Sequence, residues 1–111
     1  MPVSAQYREF VLEQLGRVEP VTARGMFGGV GIYSRGLFFA LMANDSVYLK
    51  VDDTNRADFE AAGMGPFRPF GDDSPPMGYY ELPADLLEEP DRLRPWMHKA
   101  LEVARRKSRK R

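Results

Sequence analysis

The sequence predicts an α+β fold, a two-layer sandwich in which an antiparallel five-stranded sheet carries its helices on one face. Two observations lead to this prediction. Apolar residues recur at helical spacing near both ends of the chain, whereas short runs rich in β-branched and aromatic residues fill the middle. Turn-forming residues separate these runs, which favours antiparallel strands over parallel strands joined by helices. The expected order of elements is α-β-β-β-α-β-β-α.

The first helix and the first strand are predicted within the first third of the chain. Ser4 is a good helix N-cap, apolar residues follow at the spacing of one helical face, and Gly16 can end the helix. We therefore expect a helix over about residues 5–15. A stretch rich in β-branched, aromatic and glycine residues covers 21–33, and we interpret it as one strand. Its glycines indicate a bulge or a close backbone approach.

The middle of the chain supplies two more strands and a second helix. An apolar run over 37–42 and an alternating run over 47–51 are bounded by turn residues, so we expect them to complete an antiparallel meander. Asp52-Asp53-Thr54 is then expected to cap a helix whose apolar residues run up to Gly63. This helix is expected to return the chain across one face of the sheet.

The last third of the chain is predicted to hold two short strands and the closing helix. Residues 66–70 and 77–82 are strand candidates on either side of a proline-rich loop, and their prolines suggest edge positions. A short helical turn over 83–87 precedes a final helix that begins near Asp91. The apolar stripe of that helix, which includes Trp96, is assigned to the core.

Composition limits the chain to a small set of protein classes. A length of 111 residues with 43% hydrophobic content suits one core, so we expect a single domain over 1–104 and a basic tail over 105–111. The absence of cysteine excludes disulfides, thiolate zinc sites, iron–sulfur clusters and thiol nucleophiles. The sequence has no signal-peptide pattern and no apolar run long enough to span a membrane. We therefore expect a cytoplasmic protein without membrane contact.

The net charge of zero hides a basic C-terminus. Six of the last seven residues are cationic, and because acidic and basic residues are equal in number, the rest of the chain carries an excess of six acidic residues. Six cations can contact several phosphates, which predicts weak, sequence-independent contact with nucleic acid; the alternative is a solvated helix end. The nucleic-acid-binding candidates are Arg105, Arg106, Lys107, Arg109, Lys110 and Arg111.

No residue pattern predicts catalysis. The glycines over 28–31 do not suit a phosphate-binding loop, because such a loop joins a strand to a helix and these glycines lie within a predicted strand. His98 is the only histidine and falls off the apolar stripe of the last helix, so we expect a solvated side chain. We predict no enzyme, no cofactor and no metal. A small-molecule enzyme or sensor that uses the proline-rich loop as a lid is the least favoured alternative.

With these residues identified, the chain resembles the N-terminal domain of the TfoX/Sxy family of bacterial competence regulators. The likeness extends over nearly the whole chain and is most specific in the pattern R-x-M-F-G-G-x-G-x-Y, which covers 24–33. The other similar stretches are the opening helix with Phe10-Val11-Leu12, residues Val47 to Asp52, residues Tyr79 to Pro83 and the closing helix with Trp96.

The resemblance implies a cytosolic transcriptional co-regulator that acts through protein contacts with a DNA-bound activator, and it implies no catalytic residue or cofactor. The full-length regulators continue into a second helical domain, so we interpret this chain as a stand-alone copy of the first. Our leading hypothesis is a non-enzymatic module that docks on a protein partner, such as a transcription activator, or on a second copy of itself, through the open face of its sheet. The candidate contacts are Arg24, Met26, Phe27, Gly28, Gly29, Tyr79 and Tyr80.

Overall fold

A computed structural model describes residues 3–26, 29–68 and 78–109 of the chain. Three α-helices and five strands make up the described fold. They are α1 (Ala5–Gly16), β1 (Thr22–Met26), β2 (Gly29–Ser34), β3 (Leu37–Ala43), β4 (Ser46–Lys50), α2 (Arg56–Ala61), β5 (Tyr79–Glu81) and α3 (Pro90–Arg109), with a 3₁₀ helix at Ala84–Glu88 before α3. Within these residues, no helix is both long enough and apolar enough to cross a membrane.

The five strands form one antiparallel sheet in the order β1-β2-β3-β4-β5, so each strand pairs with its neighbour in sequence. The helices pack on one side of this sheet, which confirms the predicted α+β sandwich. Fully buried side chains from both layers meet there and form the core. They include Val11 and Leu15 of α1, Ile32, Met42 and Leu49 of the sheet, and Leu93 and Met97 of α3.

The helix and the turns that the sequence predicts most directly are confirmed. The side chain of Ser4 accepts a hydrogen bond from the backbone N–H of Tyr7 at 3.1 Å and thereby caps α1. The turns before β3 and β4 contain Arg35-Gly36 and Asn44-Asp45, all with positive φ. Positive φ at both central residues matches the right-handed twist of the strands they join. These two turns therefore fix the register of β2, β3 and β4.

The single strand expected over 21–33 is a hairpin. β1 pairs with β2 from Met26 opposite Gly29 to Thr22 opposite Tyr33, and the connecting residues 27–28 lie outside the described part of the chain. A Cβ atom at Gly29 would lie 2.5 Å from the carbonyl oxygen of Met42. The start of β2 therefore approaches β3 more closely than a side chain would allow, and Gly29 serves packing.

The strand expected over 66–70 is reduced to one isolated bridge between Pro66 and Tyr80, and residues 69–70 lie outside the described residues. Proline has no backbone N–H to donate, which limits pairing at this position. Compared with the prediction, the hairpin gives one more strand before α2, and the isolated bridge leaves one fewer strand after α2. The sheet therefore keeps five strands, as predicted, with four of them before α2.

A bulge in β3 determines which face of the sheet Phe38 and Phe39 point to. Ile32 pairs with Ala40 and Tyr33 pairs with Phe38, so Phe39 is an extra residue on β3. Phe39 is fully buried in the core on the helix side. The bulge thereby leaves Phe38 on the opposite face, which we call the open face.

Candidate functional site

The open face of the sheet carries a group of aromatic and apolar side chains. Side chains alternate between the two faces along each strand, so those that point away from the helices gather here. The rings of Tyr33 and Phe38 stack with their centres 5.0 Å apart, and Phe38 lies 5.8 Å from Tyr79. At the far end, the rings of Tyr48 and Phe67 are 4.7 Å apart. This face is therefore not a flat polar surface.

Two cations lie over these rings. The guanidinium of Arg24 lies 5.6 Å from the centre of the Tyr33 ring, and Nζ of Lys50 lies 5.5 Å from both Phe38 and Tyr79. Burial raises the pKa of Tyr79 to about 12, with a smaller contribution from Tyr33. The centre of the open face is thus packed and partly desolvated, whereas Arg24 at its β1 end is exposed.

Tyr79 and Tyr80 point to opposite faces of β5. Tyr79 belongs to the open face but is only 9% exposed. Tyr80 lies on the helix side, where its ring centre is 5.9 Å from that of Phe59 in α2. The Phe59 ring in turn meets Trp96 of α3 edge-on at 4.8 Å. The structure therefore does not bring the two tyrosine candidates together, and it places Tyr80 in the packing between sheet and helices.

Arg24 and Met26 do share the open face at its β1 edge. A methyl group at Gly31 would lie 2.7 Å from Sδ of Met26 and 3.2 Å from Cε1 of Phe38, so these side chains cover the backbone of β2 there. Phe27 and Gly28 lie outside the described residues. Of the seven predicted contacts, Arg24, Met26 and Gly29 are the ones that the structure places near each other on the β1–β2 hairpin.

A cleft of about 860 Å³ lies between α1 and the β1–β2 hairpin, on the helix side of the sheet. Its residues from α1 and the segment before it are Val3, Ala5, Arg8, Glu9 and Leu12, and those from the hairpin are Gly25, Met26, Gly29 and Val30. Among residues 3–26, 29–68 and 78–109, and apart from the two chain neighbours, no heavy atom lies within 4 Å of a Cβ atom built at Gly25, so that position faces open space in the described fold. Sequence reasoning missed Gly25 and the α1 residues, although Gly25 is the unassigned position of the R-x-M-F-G-G pattern.

His98 is exposed, as expected, and lies at a second cleft of about 360 Å³. Its Nε2 atom is 3.3 Å from Oε1 of Glu19, whose Oε2 also contacts Arg35 at 3.3 Å. Within residues 3–26, 29–68 and 78–109, no three histidine, cysteine or acidic side chains are grouped closely enough to hold a metal ion. This cleft therefore presents one histidine in contact with a carboxylate.

The basic C-terminal residues continue α3 as far as Arg109. Arg105 forms an ion pair with Glu102 in the same helix. Arg106 donates hydrogen bonds to Oδ2 of Asp52 at 3.0 Å and to Oγ1 of Thr54 at 2.8 Å. Lys107 is exposed, and Lys110 and Arg111 lie outside the described residues. Of the three candidate cations whose side chains the structure describes, Arg105 and Arg106 are therefore engaged within the fold.

These features define an α+β domain with a five-stranded meander, helices on one side and a cleft beside its first edge strand. The profile of the family described as the TfoX N-terminal domain matches residues 13–104. The match covers most of the chain, and the chain belongs to this family. A search of curated proteins found no relative similar in sequence.

Proposed function

We propose that this chain is a non-enzymatic regulatory module that binds a protein partner in the cytoplasm, in the manner of the competence-related regulators of its family. The contact region in this proposal is the β1 surface, which we define as Arg24 and Met26 on the open face together with the cleft beside Gly25. One observation carries the proposal. β1 is an edge strand whose residues are mostly exposed, and both of its faces border features that suit binding.

The composition of the β1 surface supports a protein partner. Arginine and methionine are enriched at protein interfaces, and arginine and tyrosine are enriched among the residues that contribute most of the binding energy. The cleft combines an apolar floor from Leu12 and Val30 with the charges of Arg8 and Glu9. Such a mixed lining suits an apolar side chain of a partner protein whose backbone polar groups stay hydrogen-bonded.

Membership of the TfoX N-terminal domain family supports the regulatory part of the proposal. The position of the basic residues favours a protein partner over direct DNA binding led by the tail, because Arg105 and Arg106 already have acidic partners. The most specific stretch of the sequence forms the β1–β2 hairpin, beside the cleft. The most specific part of the family likeness thus includes residues of the exposed edge strand.

Photo-crosslinking in living cells tests the contact region. A photoreactive amino acid is placed at Arg24 or, as a matched control, at Arg94, an exposed arginine of α3 outside the β1 surface. We expect a discrete adduct with one protein from position 24 and none from position 94. Equal adducts from both positions, or none from position 24, would contradict a specific partner at β1.

Transcript measurements test the regulatory role. A strain that lacks the protein is complemented with the natural chain, with Arg24→Glu or with Arg94→Glu, and transcripts of DNA-uptake genes are measured. We expect Arg24→Glu to lose the regulation and Arg94→Glu to keep it. Regulation that is absent with the natural chain itself would separate this protein from competence, whatever the crosslinking shows.

A further inference from the structure

We infer that the partner binds β1 as a sixth strand of the sheet, with an apolar side chain in the cleft beside Gly25 and an acidic side chain next to it facing Arg24. This inference rests on the proposed function and specifies how the β1 surface recognises its partner. Strand addition uses the backbone groups of an exposed sheet edge for affinity and alternate side chains for specificity.

The two edges of the sheet differ in whether their backbone groups are already used. At the β5 edge, Phe67 donates to the carbonyl oxygen of Tyr79 at 2.7 Å, and Glu81 donates to that of Gly65 at 3.0 Å. Residues 65–67 therefore occupy that edge. Among the described residues, β1 pairs with β2 on one side, and no backbone hydrogen bond joins 22–26 to any other segment. An unpaired edge of this kind is a template for another strand.

The helix-facing side of β1 has room for a large side chain. Directly opposite residues on paired antiparallel strands have Cβ atoms roughly 5 Å apart on the same face. A partner residue opposite Gly25 would therefore point into the cleft of about 860 Å³, where Val3, Leu12 and Val30 supply apolar surface. Gly25 has no side chain, and apart from its two chain neighbours no described residue has a heavy atom within 4 Å of its Cβ direction, so the described part of the chain leaves this entry open.

The open face of β1 selects for an acidic neighbour. Arg24 is adjacent to Gly25 and points to the other face, so the partner residue next to the apolar one lies opposite Arg24. The contact of Arg24 is the ring of Tyr33, and no carboxylate of the described residues forms an ion pair with it. A carboxylate on the added strand would form a cross-strand pair with this guanidinium.

A second copy of the chain fits this edge less well. Two β1 strands related by a two-fold axis can pair with Arg24 opposite Arg24, which places like charges together. They can also pair with Gly25 opposite Gly25, which leaves both clefts empty. In other registers an apolar residue such as Val21 can lie opposite Gly25, but residues 20–30 contain no acidic residue, so a second copy pairing through β1 places no carboxylate opposite Arg24. The edge therefore favours a different segment, in which apolar and acidic residues alternate.

The probe is a capped fluorescent peptide of about nine residues, in which aspartate alternates with valine or phenylalanine. This length spans β1 and extends beyond it at both ends. Anisotropy measures its affinity, and amide chemical shifts and hydrogen exchange of the protein locate it. We expect changes at 22–26 and in the cleft. N-methylation of alternate peptide nitrogens is expected to weaken binding at least about tenfold, because it removes the donors of the added strand.

Three substitutions sharpen the test. Gly25→Val is accommodated by the open space at that position and should fold, as checked by circular dichroism, yet weaken binding at least about tenfold by closing the entry. Arg24→Glu should weaken binding of the acidic peptide and strengthen binding of a version with lysine in place of aspartate. Arg94→Glu should change neither.

Three results would overturn strand addition. They are equal binding of the N-methylated peptide, chemical-shift changes centred on α3, and no binding up to about 1 mM. A dimer seen by light scattering and abolished by Gly25→Val would assign the edge to a second copy instead. If the peptide fails while crosslinking at Arg24 still captures a partner, the proposed function stands without strand addition. If crosslinking fails as well, both are lost.

Discussion

Arg106 of α3 reaches back to Asp52, 54 positions earlier in the chain, and donates a hydrogen bond from Nη2 to Oδ2 at 3.0 Å. Thr54 donates to Oδ1 of the same carboxylate from its backbone N–H at 2.8 Å and from its hydroxyl at 2.6 Å. Burial acts to raise the pKa of Asp52, but the hydrogen bonds from Thr54 and Arg106 outweigh it and lower the pKa to about 2. This contact ties the end of α3 to the turn between β4 and α2.

Arg106→Ala should therefore destabilise the fold. The pair is partly exposed, so we expect a loss of about 1 kcal/mol in the free energy of unfolding near neutral pH. Arg105→Ala is the matched control, because its ion pair with Glu102 lies within one helix at the surface, and it should leave stability unchanged. Urea unfolding followed by the fluorescence of Trp96 measures both. Equal stability of the two variants would show that the Asp52 contact contributes nothing.

The same contact predicts a pH dependence. The folded-state pKa of Asp52 lies below its ordinary value of 3.8, so its stabilising effect is present above that value and is lost as the pH falls towards about 2. The stability difference between the natural chain and Arg106→Ala should accordingly shrink over this interval. Unfolding curves at a series of acidic pH values test it, and a constant difference would mean that the Asp52 charge is not involved.

Tyr79 predicts a second pH dependence, at the alkaline end. Its folded-state pKa of about 12 lies above the ordinary value of 10.0, so the folded protein loses stability as the pH rises from about 10 to about 12. The loss should approach roughly 2 kcal/mol. Tyr79→Phe has no hydroxyl to ionise and should gain in relative stability over the same interval. Unfolding at two alkaline pH values checks this, and parallel decline of both proteins would contradict it.

The glycines of the β1–β2 hairpin provide a matched pair of substitutions. Gly29→Ala places a methyl group 2.5 Å from the carbonyl oxygen of Met42, and because backbone must move, we expect a loss of about 2–3 kcal/mol. Gly25→Ala meets no atom of a described residue within 4 Å, its chain neighbours aside, and should be neutral or stabilising by up to about 1 kcal/mol. Thermal or urea unfolding compares them. A larger loss at Gly25 would show that the cleft is not open there.

Local sequence signals predict most of this fold and little of its binding surface. Helix α1, the turns at 35–36 and 44–45 and strands β3 and β4 follow from capping, turn residues and alternation, which act over a few residues. The reversal after Met26 was missed because strand-forming residues continue on both sides of it. Gly29 and Gly31 do lie within a strand, β2, so these glycines alone do not mark where the chain reverses between Met26 and Gly29.

The cleft could not be predicted because it depends on where α1 lies against the sheet. The periodicity of α1 identifies its buried side, including Val11 and Leu15, but not the strand that its opposite side borders. Arg106 was assigned to the tail by charge alone, since the acidic partner that it meets is distant in sequence. Pairing between distant residues is decided by tertiary packing, which local patterns do not encode.

The basic tail gives the last prediction, on salt dependence. Each phosphate neutralised on duplex DNA contributes a slope of about −0.9 to the plot of log affinity against log salt concentration, so six cations would give about −5. Since Arg105 and Arg106 are paired with Glu102 and Asp52, we expect any binding to show a slope no steeper than about −3.6, as four cations allow. Fluorescence titrations of duplex DNA at low and near-physiological salt measure it.

A variant with serine at Lys107, Arg109, Lys110 and Arg111 keeps the Arg106 contact and should abolish binding. A slope near −5 would show that both ion pairs open on DNA, whereas no binding at physiological salt by either protein would identify the tail as a solvated helix end and leave β1 as the surface to pursue.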